Sequence, residues 1–318
     1  MTVRGGRGRR RARCAPSAAR PSLQGVRAGE PAPEQDQILL GDNLELLPRF
    51  ADGSFQLIYI DPPFNTGRTQ TRRTLRAVRA EDGERVGFAG RRYSTTQLSR
   101  ASYEDRHLDY LAFLEPRLRE AHRLLAREGT LYFHIDYREA HRCKLLLDEI
   151  FGPACFLNEL IWAYDYGGRS RRRWPAKHDT ILVYVRDPDA YHFDCGEVDR
   201  EPYMAPGLVT PEKAAAGKLP TDVWWHTIVP TNGGEKTGYP TQKPEGIVRR
   251  MVLASTRPGD RCLDFFAGSG TLGAVAAAHD RRYVLIDSNP EAIRVMCERL
   301  GGAAGAADEG ATARAGGR

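Results

Sequence analysis

Arg261-Cys-Leu-Asp-Phe-Phe-Ala-Gly-Ser-Gly-Thr-Leu-Gly-Ala-Val-Ala-Ala-Ala-His-Asp-Arg-Arg-Tyr-Val-Leu-Ile-Asp287 is the stretch that decides the fold. A short apolar strand closes on Asp264, two glycines turn the chain into an Ala-rich helix, and a second apolar strand closes on Asp287. Strand, glycine turn, helix and strand in this order form a parallel pair with a crossover helix. A helix over Pro244 to Ser255 and another over Pro290 to Leu300 extend the alternation on either side.

Working back toward the start, the same grammar recurs. Gln37-Ile-Leu-Leu-Gly-Asp-Asn reads as a strand entering a helix that Asp42 or Asn43 caps. Gln56-Leu-Ile-Tyr-Ile reads as a buried parallel strand, ended by Asp61-Pro-Pro-Phe-Asn-Thr-Gly, whose two prolines continue neither ladder nor helix. A basic loop over 68–100 follows. Apolar residues from Leu108 to Leu125 then predict a helix over Asp105–Ala126. Strands are expected at Gly129–Ile135, Phe156–Tyr164 and Asp179–Val185, with a helix through Leu145 and Ile150. Residues 187–240, rich in Pro, Gly and aromatics, read as an irregular insertion.

The 318 residues, 41% of them hydrophobic, suffice for one large α/β domain. Residues 1–36 and 301–318 read as disordered tails, the first Arg-rich and also like a transit peptide. The net charge of +6 is weak testimony for a nucleic-acid partner, because eight arginines against three acids put +5 of it in the first 36 residues. Local clusters matter more: Arg68, Arg72 and Arg73 in one, and Arg169, Arg171, Arg172, Arg173 and Lys177 in the other. No apolar run is long enough to span a bilayer and none at the start forms a secretory signal, so a cytoplasmic protein with no membrane partner is expected. Six scattered cysteines without histidines at ligand spacing give no metal site and read as reduced thiols, with Cys155, Cys262 and Cys297 filling the core.

Chemistry is expected at the strand ends. In the glycine loop Asp264 can accept from a cationic amine while Gly268 and Gly270 admit a ligand close to backbone. Gly268, Gly270 and Gly273 also meet the dinucleotide spacing, so the loop alone leaves a nicotinamide-dependent oxidoreductase open. Asp287 stands where a carboxylate holds ribose hydroxyls, or simply caps the next helix. At Asp61-Pro-Pro-Phe, a carboxylate and a proline-fixed carbonyl can accept both N–H bonds of an exocyclic base amine and aim its lone pair. Phe64 can stack on a flipped base. A rigid turn with a capping Asp is the plain alternative.

Together these segments resemble the β group of amino-methylating DNA methyltransferases, in which the catalytic motif precedes the cofactor motif. Asp61-Pro-Pro-Phe-Asn-Thr-Gly is similar to that family's catalytic motif, and Asp264-Phe-Phe-Ala-Gly-Ser-Gly-Thr to its cofactor loop. Tyr239-Pro-Thr-Gln-Lys-Pro-Glu resembles the segment lining the methionine end of the cofactor, and Gly41-Asp-Asn the position whose acid meets the adenine. The likeness spans about residues 37–300 and departs at Phe265, where the family usually has proline.

The resemblance implies a Rossmann-like, mostly parallel seven-stranded sheet with one antiparallel strand and helices on both faces. It implies S-adenosylmethionine as cofactor, held by Asp42, Thr241, Gln242, Lys243, Asp264, Phe265, Ala267, Gly268, Gly270 and Asp287. Asp61, Pro62, Pro63 and Phe64 would handle the base. Double-stranded DNA is then the substrate, adenine N6 the expected target, and the region of about 164–235 the expected target-recognition segment, its arginines on phosphates. Asp61 favours adenine over cytosine N4, whose enzymes usually open the motif with Ser; protein-glutamine enzymes typically have Asn there. RNA or protein methylation, and a non-catalytic DNA-binding relic, are further rivals. The family also raises a homodimer and a cognate restriction enzyme. His134, Asp136 and His178 read as packed or hydrogen-bonded rather than catalytic, and Trp224, Trp225 and His226 as packing or support for a ligand.

Overall fold

Strand β1 (Gln37–Leu40) enters a single helical turn, α1 (Asn43–Leu46), with Asp42 as N-cap accepting from Leu44 N at 2.9 Å. Along the chain follow β2 (Phe55–Ile60), β3 (Arg68–Arg79), β4 (Arg85–Val86), β5 (Arg92–Asp105), α2 (Tyr110–Leu124), β6 (Leu125–Ile135) and α3 (Ala140–Phe151). Then come β7 (Phe156–Ala163), β8 (His178–Val185), α4 (Pro211–Ala216), β9 (Val223–Trp225), α5 (Glu245–Ser255), β10 (Arg261–Asp264), α6 (Thr271–Ala278), β11 (Arg282–Asp287) and α7 (Pro290–Leu300). This computed structural model describes residues 35–64, 68–79, 85–86, 92–105, 109–167, 169–230 and 233–301, with only backbone over 68–105. Of the expected tails, 1–36 and 301–318, residues 1–34 and 302–318 lie outside the described residues, whereas Asp36 accepts from Tyr283 N at 3.1 Å.

Eight strands form the main sheet in the order β1-β11-β10-β2-β6-β8-β7-β9. All pairs are parallel except those made by β8, so one strand alone is antiparallel. This Rossmann-like architecture has one strand more than expected. The addition, β9, pairs parallel with β7 and is only Val-Trp-Trp, too short to show a period in the stretch read as irregular.

Period two decides which side each residue buries. Ile58 and Ile60 join the core under α2 and α3, with Leu114, Leu118, Leu131, Phe133 and Leu147. Leu57 and Tyr59 face the opposite core under α5, α6 and α7, with Tyr132, Val183, Val248, Met251 and Leu285. Burial on both faces is why β2 reads as a continuous apolar run. Cys143, Cys155 and Cys262 are buried fillers, whereas Cys297 is partly exposed.

Three elements differ from the sequence expectation. The basic stretch over 68–100, expected to be a loop, is instead a three-stranded antiparallel sheet, β3-β5-β4, with Arg68 opposite Asp105 and Arg79 opposite Tyr93. Strands made mostly of Arg, Thr, Ser and Gln, with few apolar residues, escape a search for apolar runs. The following helix starts at Tyr110, where Asp109 accepts from Ala112 N, and β6 begins at Leu125, directly after α2. The irregular segment is anchored by an ion cluster, Arg250 of α5 reaching Asp199 at 2.7 Å and Glu201 at 2.9 Å, with its guanidinium 5.3 Å from the Trp224 ring centroid.

Candidate active site

Parallel strands end at one edge, and here four neighbours, β1, β11, β10 and β2, deliver Asp42, Asp287, Asp264 and Asp61 to a cleft of about 480 Å³, a size that suits a cofactor. Backbone bonds fix the acids. Asp287 Oδ2 accepts from Gly268 N at 2.8 Å and Oδ1 from Asn289 N at 2.8 Å; Asp264 Oδ1 accepts from Phe266 N at 2.9 Å. Gly268 sits at φ +51°, and a Cβ there would lie 3.2 Å from the Tyr239 ring, so the turn needs glycine. Asn43 is buried and bridges the motifs, donating to Phe265 O at 3.0 Å and accepting from Arg117 Nε at 2.8 Å.

At the end of β2 the second motif is pinned from three sides. The Tyr110 hydroxyl donates to the Pro63 carbonyl at 2.6 Å. The Lys243 ammonium pairs with Asp61 Oδ2 and stands 4.9 Å from the Phe64 ring centroid. Phe64 in turn leans on His134, ring centroids 5.8 Å apart. Asp61 Oδ1 is buried with no hydrogen-bond partner among the described residues. An unpaired buried acceptor is costly unless a ligand donor reaches it.

Of the expected site residues, Asp42, Asp61, Pro62, Pro63, Phe64, Thr241, Lys243, Asp264, Phe265, Ala267, Gly268 and Asp287 line this one cleft. Gln242 does not; its amide accepts from Thr237 N at 2.9 Å and donates to Glu235 O at 2.7 Å, shaping the loop that holds Thr241 at φ +58°. Gly270 does not line it either. It caps α6 at φ +71°, where a Cβ would clash with Met296 at 2.8 Å. Lys243, expected at the cofactor, lines the cleft and also pairs with the Asp61 carboxylate. Tyr239, from the segment expected at the methionine end, lines the cleft too, and Tyr59, Asn43 and Arg117 line it without having been named as site residues; Tyr59 faces it because it alternates with the core residues Ile58 and Ile60.

Side chains of Arg68, Arg72 and Arg73 lie outside the described residues. Arg169, Arg171, Arg172 and Arg173 are exposed between β7 and β8, and Lys177 donates to Gly167 O at 3.3 Å. His134 is fully buried and hydrogen-bonded, Nδ1 with the Tyr59 hydroxyl at 3.0 Å and Nε2 with Asp179 at 3.1 Å. Asp136 pairs with Arg138, and Trp224 is packed with its Nε1 on Thr221 O at 2.7 Å, while Trp225 is exposed.

The residues fit a cationic ligand. Burial pushes the Asp264 carboxyl well above the usual carboxylate range, the Phe266 N–H pulls it back, and Asp61 and Asp287 nearby raise it again. Burial likewise raises Asp287 against three backbone N–H bonds. A cation that neutralises this group binds the ionised form of Asp264 and releases its proton. Affinity for such a ligand is therefore expected to fall as pH drops through the raised pKa, above the unperturbed value of about 3.9, by up to about tenfold per pH unit. Calorimetry with S-adenosylmethionine across that range checks it, and Asp264→Asn should bind weakly with a flat profile. A wild-type affinity independent of pH would remove Asp264 from the site.

The sequence model of the DNA methylase family matches residues 55–298. DNA adenine methyltransferase YhdJ of Escherichia coli (strain K12) is 30% identical over 275 residues, 84% of this chain and 83% of that protein. Type II methyltransferase M.HpaI of Haemophilus parainfluenzae is 30% identical over 269 residues, 83% of this chain and 74% of its own length. Two solved structures share the fold. The S-adenosylmethionine complex of M1.HpyAVI has a TM-score of 0.54 at 19% identity, over 83% of this chain and 98% of that one. The cytosine-N4-specific PvuII DNA methyltransferase has a TM-score of 0.57 at 15% identity, over 86% and 90%. The family model spans the segment that carries Asp61, Lys243, Asp264 and Asp287, and the chain belongs to the DNA methylase family of N6 and N4 amino-methyltransferases.

Proposed function

We propose that this protein methylates adenine N6 in double-stranded DNA, using S-adenosylmethionine. The observation that carries the reading is the buried Asp61 Oδ1, without a partner among the described residues, in a residue that lines the cleft shared with the Gly268 turn. Asp at the head of the motif and the printed name of the Escherichia coli relative favour adenine over cytosine N4.

Asp61 Oδ1 accepts one N–H of the flipped base's amine. The Pro62 carbonyl accepts the other, since Tyr110 already holds that of Pro63. Two accepted bonds draw the nitrogen toward tetrahedral geometry and aim its lone pair into the cleft. Phe64 stacks on the base, with His134 behind its ring and Lys243 orienting the carboxylate. Asp287 takes ribose hydroxyls, Asp264 the ammonium and Asp42 the adenine of the cofactor, whose sulfonium supplies an electrophilic methyl. Oδ1 is also placed to take the proton that the methylated amine sheds.

Arg169 to Arg173 with Lys177 contact phosphates in this reading, positioning rather than specifying. Residues from about 164 to 235 supply target recognition. A cytoplasmic location belongs to the same reading, because the DNA substrate lies inside the cell; among the described residues no helix is long and apolar enough to cross a membrane. A homodimer and a cognate restriction enzyme belong to the same proposal, supported by the family and by the Type II name of M.HpaI. Incubation with unmethylated DNA and S-adenosylmethionine, digestion to nucleosides and mass spectrometry tests the core of it. N6-methyldeoxyadenosine is expected; N4-methyldeoxycytidine would keep the mechanism and change the base. No methylated nucleoside, with cofactor bound, would overturn it.

A further inference from the structure

The segment between β7 and β8 has every described side chain from Asp165 to Pro175 exposed, and one of them is a tryptophan. Trp174 is 95% exposed, with no ring, cation or hydrogen-bond partner among the described residues, directly after Arg171, Arg172 and Arg173. Leaving an indole in water forgoes the burial that ordinarily keeps tryptophan inside, so exposure among cations marks a surface that something else covers. Its surroundings are locally organised: Ser170 Oγ accepts from the N–H of Arg172 and of Arg173 at 3.2 Å, and Tyr164 N donates to Lys177 O at 2.9 Å, closing the base of the segment. None of the four arginines is paired with an acid among the described residues.

Topology places this arm at the site's edge. β7 runs parallel to β2 and ends at Ala163, β8 begins opposite it at His178, and three strand spacings, about 14 Å, separate β7 from the strand that delivers Asp61. Trp174 is four residues from His178, the first residue of β8, and its backbone reaches at most about 14 Å beyond the sheet. A duplex lying over the cleft with its target base drawn into it is within that reach. Flipping leaves a gap in the stack and unpaired neighbours, and a flat aromatic side chain fills such a gap by stacking on the adjacent bases.

Resting on the DNA reading above, we infer that Trp174 is the stacking wedge that enters the duplex beside the flipped base, while Arg171, Arg172 and Arg173 clamp the flanking phosphates. Its role is to position, since it touches neither the reacting amine nor the methyl donor. Indole stacking is insensitive to base identity, so Trp174 supports the flipped state without choosing the sequence.

The test uses the full chain with duplex DNA and compares wild type, Trp174→Ala and Trp174→Phe. Trp174→Ala should lower kcat/KM on duplex by about tenfold or more, with its urea midpoint unchanged because the residue packs on nothing. Trp174→Phe should recover most of that loss. The slope of log Kd against log salt should match wild type in both, whereas Arg172→Ala should reduce it by about one. Duplex should quench tryptophan fluorescence in wild type, and that quench should be absent from Trp174→Phe but kept in Trp225→Phe. An Ala variant within twofold of wild type, a Phe variant as impaired as Ala, or a quench that persists in Trp174→Phe overturns the wedge. Failure of the methylation reading looks different: wild type would produce no methylated nucleoside while the Trp174-dependent quench remained.

Discussion

Asp61→Ala is expected to lower methyl transfer by at least about a hundred- to a thousandfold while leaving S-adenosylmethionine affinity within a few-fold of wild type. Catalysis here depends on interactions strongest when the amine nitrogen becomes tetrahedral, and Asp61 Oδ1 is a buried acceptor in the cleft with no other partner among the described residues. Truncation also frees the Lys243 ammonium, leaving a buried cation facing Phe64 without its carboxylate. Part of the loss is therefore electrostatic: a cation in the amine's place repels the methylated base as it gains positive charge. Asp61→Asn, which keeps size but offers one acceptor and a donor, should be nearly as impaired. Single-turnover methylation with calorimetry of cofactor binding checks both. An Asp61→Ala enzyme within tenfold of wild type would mean that the proline carbonyl and Phe64 suffice, and the assignment of Asp61 would fall.

The sequence disclosed what strand ends disclose. Acids closing apolar runs gave Asp61, Asp264 and Asp287, and the structure brings all three to one cleft because β2, β10 and β11 are neighbours. That adjacency is a property of sheet order. The permuted motif order hides it, and the family resemblance supplied it. Gln242 and Gly270 were assigned by motif membership, but a motif records what a fold needs as well as what a ligand needs; one organises the Thr241 turn and the other admits Met296 against α6. Asn43 and Arg117 escaped notice because their roles arise from contacts 222 and 74 residues apart in the chain, which periodicity does not encode. β3 and β5 escaped for another reason: a strand rich in Arg and Thr looks like a solvated loop unless register is known.

His134→Leu is expected to destabilise the fold by about 3–5 kcal/mol, more than any change to a cleft-facing glycine or exposed arginine. Asp179 is a buried carboxylate whose Oδ2 meets His134 Nε2 at 3.1 Å and whose Oδ1 accepts from the Tyr164 hydroxyl at 3.0 Å. A carboxylate only accepts, so Nε2 carries the proton, and leucine strands a charge in the core between β6, β7 and β8. Burial pushes the Asp179 pKa up, but the His134 bond, with Lys243 and Tyr164, brings it below the usual carboxylate value. A depressed pKa stabilises the fold above the unfolded value of about 3.9 and loses that contribution as pH falls through the folded pKa. His134→Leu should shift the urea midpoint downward at pH 7 and much less in acid, where Asp179 protonates. His134→Leu/Asp179→Leu, with both partners gone, should recover most of the stability. It should not recover activity, because the His134 ring that supports Phe64 is still missing. Equal midpoints for wild type and His134→Leu at pH 7 would show that Asp179 is solvated, and recovered activity in the double variant would show that Phe64 holds its place unaided.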